Sequence, residues 1–193
     1  MPPKNRYHKE DLVNAAFYVA EREGLGAVTV RKVAAELGCS VAPIYVNFNT
    51  STELIDAVLQ RAEDLTFEYM QRDYSESPFL NMGIGEVMFA REHGRLFREI
   101  TMRKSAYAAK GRKDYARYLP LMKRDKHMRS FSEIELIDIL IKVDVFTQGL
   151  AMLASEDTNK AMVSFDRIID MLRETGADII LGAQLRKTGD HPI

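Results

Sequence analysis

Few residues in this chain are spaced for bond-making chemistry. Its four histidines, His8, His93, His127 and His191, are scattered and give no paired spacing for a metal ion. There is no glycine-rich phosphate loop and no nucleophile elbow. No catalytic residue, metal ligand or cofactor is therefore assigned. The chemistry the spacing does support is recognition of phosphates and base edges. Within residues 29–48, TVRKVAAELGCSVAPIYVNF, the run Ser40, Val41, Ala42, Pro43 offers one hydroxyl and small apolar surfaces. These suit thymine methyl groups better than a bidentate hydrogen-bond code. Tyr45 can give its hydroxyl to a phosphate while its ring packs inward, and Thr29 can do the same. Asn47 has the donor and acceptor to read adenine, or it can meet a phosphate. Arg31 and Lys32 divide evenly between phosphate contact and a solvated face, whereas Ile44 and Phe48 read as core. Lys4 and Arg6, in a basic arm over residues 1–8, are further candidates for phosphate contact.

These residues need short, well-ended helices to hold them. Val30, Val33, Ala34 and Leu37 repeat at helical spacing behind Thr29, a good N-cap, and Gly38 ends the run. Ser40 is placed to cap a second helix with Pro43 in its first turn, where a missing N–H costs little. Two short helices joined by a glycine-containing turn match a helix-turn-helix, whose second helix enters the major groove by its N-terminal end. Ahead of them the spacing predicts a helix from Lys9 to Glu23, with Leu12, Ala15, Ala16, Val19 and Ala20 on one face and Gly24 as its stop. Behind them Thr50 or Ser51 caps a longer helix reaching about Arg72.

Residues 9–58 resemble the N-terminal domain of the TetR/AcrR family of bacterial transcriptional regulators. The resemblance rests on Ala15-Ala16, Gly24, Thr29, Ala34, Leu37-Gly38, Ser40, Ile44-Tyr45, Phe48 and Leu54-Ile55, all in register. Two positions depart from the family pattern: Ser51 stands where a phosphate-touching Lys is usual, and Thr52 where Glu is usual. Both substitutions remove charge near the DNA backbone. The resemblance implies an all-α fold, with a three-helix DNA-binding domain over residues 6–66 and a helical ligand-binding and dimerisation domain over 67–193. It places Thr50 and Ser51 with the DNA-contacting residues.

The 193 residues suffice for one large or two small domains with a sizeable core. No apolar run is long enough to span a membrane and no secretory signal is visible, so a cytoplasmic location is expected. The single cysteine, Cys39, allows no intramolecular disulfide and reads as a small packed side chain. The formal net charge of −1 conceals an uneven distribution. Residues 102–129 carry ten Lys and Arg against Asp114 and Asp125, and residues 130–193 carry six basic against eleven acidic side chains. In the basic stretch, tyrosines and leucines can line one helix face while the charges face water, and Pro120 kinks or restarts the helix.

Further along, Ser77-Pro78 opens a helix that breaks at His93-Gly94 and resumes through Leu96, Phe97 and Ile100. Residues 132–154 are apolar on more than one face and start with a Ser132/Glu135 capping box. The last helical region, to about Lys187, is divided at Gly176. The resemblance implies that these last two long helices form a four-helix bundle with a second copy. Adaptable or polar side chains in this half make the candidate effector pocket: Met88, Phe89, Met102, Tyr107, Tyr118, Met122, Asp144 and Gln148. The functional expectation is a ligand-responsive regulator, mostly a repressor, binding a near-palindromic double-stranded operator as a homodimer. The alternative is a small-molecule sensor or interaction protein with a weakened DNA-binding half.

Overall fold

The structure is a computed structural model that describes residues 7–107, 115–156, 159 and 164–189, with backbone alone over 103–107. Each helix starts where the chain supplies its own cap. α1 (Lys9–Glu23) begins with the Asp11 carboxylate accepting the His8 N–H at 2.7 Å. It ends at Gly24, whose φ of 95° suits a residue without Cβ. Any side chain there would also strike the Glu99 carboxylate. α2 (Val30–Glu36) is capped by Thr29, which accepts from the Lys32 N–H at 3.2 Å, and Gly38 turns the chain at φ 63°. α3 (Ala42–Asn47) carries Pro43 in its first turn. Its N-cap is Val41 and no side chain caps it, so the expected role of Ser40 is not met; Ser40 lies one residue too early and is exposed. α4 (Ser51–Met70) starts on the Thr50 hydroxyl, which accepts from the Glu53 N–H at 3.1 Å.

Ser77 caps α5 (Pro78–Glu92), and α6 (Gly94–Tyr107) follows after the break at His93. A 3₁₀ turn over Tyr115–Tyr118 leads into the four-residue α7 (Leu119–Met122), with Pro120 in its first turn. Pro120 thus restarts a helix, but the described part of the basic stretch is turns and short helices rather than one long face. α8 (Glu133–Ala154) opens with both bonds of the Ser132/Glu135 capping box. α9 (Phe165–Thr188) runs unbroken through Gly176, against the expected division there. A glycine in a helix interior costs only about 1 kcal/mol, which packing against α5 and α8 offsets.

The fold is all-α among the described residues. α1 packs on α2 and α4, α4 on α5, and α5 on both α8 and α9. One apolar cluster fills the interior of α1–α4 and continues through Ile84, Phe89, Leu96 and Leu150. A second joins Met70, Phe79, Met122, Met128, Leu136 and Ile139. No described helix is long and apolar enough to cross a membrane.

Candidate nucleic-acid interface and effector cavities

The α2–α3 hairpin is held from behind and open in front. Ile44 is 0% exposed and Phe48 is buried, both in the first apolar cluster, as read from the sequence. That anchoring turns the opposite side of α3 outward. Ser40, Val41 and Ala42 are exposed, as is Tyr45 at 60%, and Pro43 is half-buried. Val46, not singled out by sequence reasoning, is 70% exposed on the same surface. A large apolar side chain left outside on a six-residue helix is the signal that would have found it. Asn47 is half-buried, and its amide donates to the Pro43 carbonyl at 2.8 Å. Thr29, Arg31, Thr50 and Ser51 are exposed around this surface, although the Thr29 and Thr50 hydroxyls each accept a capping bond. The ammonium of Lys9 sits 5.2 Å from the centre of the Phe48 ring. Lys4 and Arg6 lie outside the described residues.

Charge at the back of the hairpin is tied up internally. Lys32 and Arg22 both pair with Glu23, and Arg22 also reaches Glu36 at 3.0 Å. Hydrogen bonds from Lys32 and then Arg22 hold the Glu23 carboxyl below its ordinary range. Arg31 is exposed and takes no part in this network.

Among the bonds of the described residues, three tie α1 and the turn after it to α6 and the residue before it. Glu99 accepts the Leu25 N–H at 2.6 Å, Arg95 donates to the Arg22 carbonyl at 2.9 Å, and His93 Nδ1 meets the Glu21 carboxylate. The His93 ring stacks 4.8 Å from Phe89, and its Nε2 is 3.3 Å from the Tyr69 hydroxyl, which donates to Glu92. Burial, reinforced by that carboxylate, pushes the Tyr69 phenol up to about 12.

Two cavities lie in the C-terminal half. The larger, about 470 Å³, is bounded by α5, the segment 125–128, α8 and α9. The smaller, about 30 Å³, lies between α4, α5, the Tyr115–Tyr118 turn and α8. Of the expected pocket residues, Tyr118 and Asp144 line the smaller cavity, and Gln148 donates to Glu86, which also lines it. Arg117 steadies the turn that presents Tyr118, by a 3.0 Å bond to Asp64 and by stacking over Phe67. Phe89 and Met122 instead lie within the two apolar clusters, and Met88 packs against the first. Met102 is 70% exposed, and the side chain of Tyr107 lies outside the described residues. Glu86 was missed, although an acid inside the apolar run of α5 was its signal; Thr147, which the sequence shows as a polar residue beside Asp144 and Gln148 in the apolar run 132–154, also lines the smaller cavity.

At the floor of the larger cavity Asp125 is buried. Burial raises its carboxyl, but bonds from the Ser77 hydroxyl at 2.6 Å and the His127 N–H at 2.9 Å help hold it below its ordinary value.

Residues 12–58 match the family model described as bacterial regulatory proteins, tetR family. The whole fold is similar to the crystal structure of a TetR-like transcriptional regulator from Rhodococcus sp. RHA1, with a TM-score of 0.62. The alignment covers 90% of this chain and 96% of that one, at 17% identity, so it speaks for the fold alone. Among curated proteins none matches. The family match across the hairpin makes residues 12–58 a tetR-type helix-turn-helix region, and the rest of the chain shares the helical fold of a TetR-like regulator.

Proposed function

We propose that the protein is a ligand-responsive repressor that binds a near-palindromic operator as a homodimer. The observation that carries this reading is the outward surface of α3, where Val41, Ala42, Tyr45 and Val46 stand exposed on a helix whose other side is core. Such a surface reads thymine methyl groups by contact and phosphates by the Tyr45 hydroxyl. Dimerisation is supported by α8, where Ile134, Ile141, Val145 and Leu153 are exposed at spacings of seven, four and eight. That spacing places them along one side of the helix. On α9, Leu181 is exposed as well. A two-fold dimer sets half-sites about 34–36 Å apart, or a multiple of that. An effector in the C-terminal cavities then releases DNA by its preference for a conformation in which the two α3 helices no longer match that spacing.

A gel-shift titration with the DNA upstream of the protein's own gene, at two salt concentrations beside a scrambled duplex, tests the reading. Saturable binding that prefers the upstream DNA and weakens with salt is expected. Absence of binding at low salt would favour a sensor with a weakened DNA-binding half, a reading to which Ser51 and the engagement of Lys32 by Glu23 lend weight. Light scattering on the eluting protein should give twice the chain mass.

A further inference from the structure

The two cavities in the C-terminal half share a partition. Phe79, Gly83 and Val143 line both. A Cβ on Gly83 would meet Leu172 Cδ2 at 3.3 Å and Thr147 Oγ1 at 3.6 Å, so the glycine keeps that wall thin. The larger cavity, about 470 Å³, is lined mainly by apolar side chains and falls within the range of small-molecule sites, roughly 300–1,000 Å³. The smaller has room for a group the size of one water and is chemically different.

Thr147, at its edge, is 1% exposed, and its hydroxyl has no hydrogen-bond partner. A buried hydroxyl without a partner is costly, and a ligand that supplies one accounts for it. Two carboxylates, Glu86 and Asp144, face the same space, and Glu86 is only 6% exposed. A carboxylate has about four acceptor positions, so each can take a further donor beside those it already serves, such as Gln148 on Glu86. The described lining of the smaller cavity holds no lysine, arginine or histidine, and it includes the rings of Tyr115 and Tyr118. Ring faces attract cations.

We infer that the effector is an amphipathic amine. Its apolar body occupies the larger cavity, and its protonated nitrogen passes between Phe79 and Val143 to donate to the Thr147 hydroxyl and the Glu86 and Asp144 carboxylates. This rests on the reading of the chain as a ligand-responsive regulator and names the class of its effector.

The test is calorimetric titration of the full chain with three probes that share one body: 4-(2-naphthyl)butylamine, 4-(2-naphthyl)butanol and 4-(2-naphthyl)butanoate. The amine is expected to bind at least about tenfold more tightly than the alcohol, with the carboxylate weakest, as charged hydrogen bonds in a dry site imply. Glu86→Gln should abolish the preference for the amine. Thr147→Val should weaken the amine while raising Tm, because a methyl group replaces the partnerless hydroxyl. A ligand role and a packing role move those two readouts differently. Equal binding of the three probes, preference for the carboxylate, or no binding of any would overturn the proposal, as would a Thr147→Val protein that keeps its preference for the amine. The gel shift reads separately. Amine binding by a protein that ignores DNA leaves the cavity chemistry standing and removes the regulator. DNA binding without amine preference does the reverse.

Discussion

The two halves of this molecule distribute polar groups in opposite ways. Around α1–α3 the interior is built from Leu12, Ala15, Ala16, Val19, Val33 and Ile44, and no polar residue there is among the buried ones described. Polar and reactive groups sit on the outside, where the operator would meet them. In the C-terminal half the buried set includes Asn81, Glu86, Asp125 and Thr147. A dry core packed from small apolar side chains gives a rigid reading head. Buried polar groups cost stability unless paired, and so mark the part of a chain that has something to bind or to switch. Under the proposed function the contrast fits a rigid DNA-contacting half and an effector-binding half, where Asn81, Glu86 and Asp125 are hydrogen-bonded and the Thr147 hydroxyl is left for a ligand.

Substitutions at four positions bear on that contrast, from the largest effect to the smallest. Ile44→Ala empties a fully buried position beneath α3 and should destabilise the N-terminal domain by about 2–5 kcal/mol in a denaturant titration, with loss of operator binding. A cost below about 1 kcal/mol would mean that the hairpin is not held by that core. Asp125→Ala strands the Ser77 hydroxyl and the His127 N–H, and should cost about 2 kcal/mol. The same carboxyl gives a pH signature. Its pKa is lower folded than unfolded, so its contribution is present above the unfolded value, near 3.9, and is lost as pH falls through the folded one. Melting curves should show a drop below about pH 4 that is smaller in the Asp125→Asn protein. Thr29→Ala removes the α2 cap and should cost about 1 kcal/mol by thermal melting, an effect confined to the N-terminal half. Val46→Ala should leave stability within about 0.5 kcal/mol while weakening operator binding in gel shifts. If it destabilised strongly instead, Val46 would belong to a packed surface and not to a reading one.

Most helix starts were legible because they are written in single residues. Thr29, Thr50, Ser77 and Ser132 each accept the N–H three residues on, as their sequence context implies. Ser40 failed that rule because the turn after Gly38 delays the helical backbone until Ala42. Gly176 failed as a divider because long-range packing outweighs a local propensity. The outer face of α3 could be read from Ile44 and Phe48, whose spacing of four puts both on one face and leaves Val41, Ala42 and Tyr45 on the other. The inner cavity could be read only in part, through Tyr118 and Asp144, because a periodic pattern says which side of a helix is apolar but not which acid, such as Glu86, is carried inward with it. The apolar run of α8 did announce coverage on several sides, and the exposed Ile134, Ile141, Val145 and Leu153 show which side the single chain leaves uncovered.

The bonds from the Leu25 N–H to Glu99 and from Arg95 to the Arg22 carbonyl have a mechanical meaning. α4 spans twenty residues, so it is an arm about 30 Å long. Pivoting it by about five degrees at Met70 would carry Ser51 through about 2.6 Å, on the basis of that length. Hydrogen bonds tolerate only a few tenths of an ångström before they weaken. A shift of that size at Leu25 or Arg22 would exceed what either bond tolerates, so under the proposed function release of DNA goes with opening of the bonds to α6.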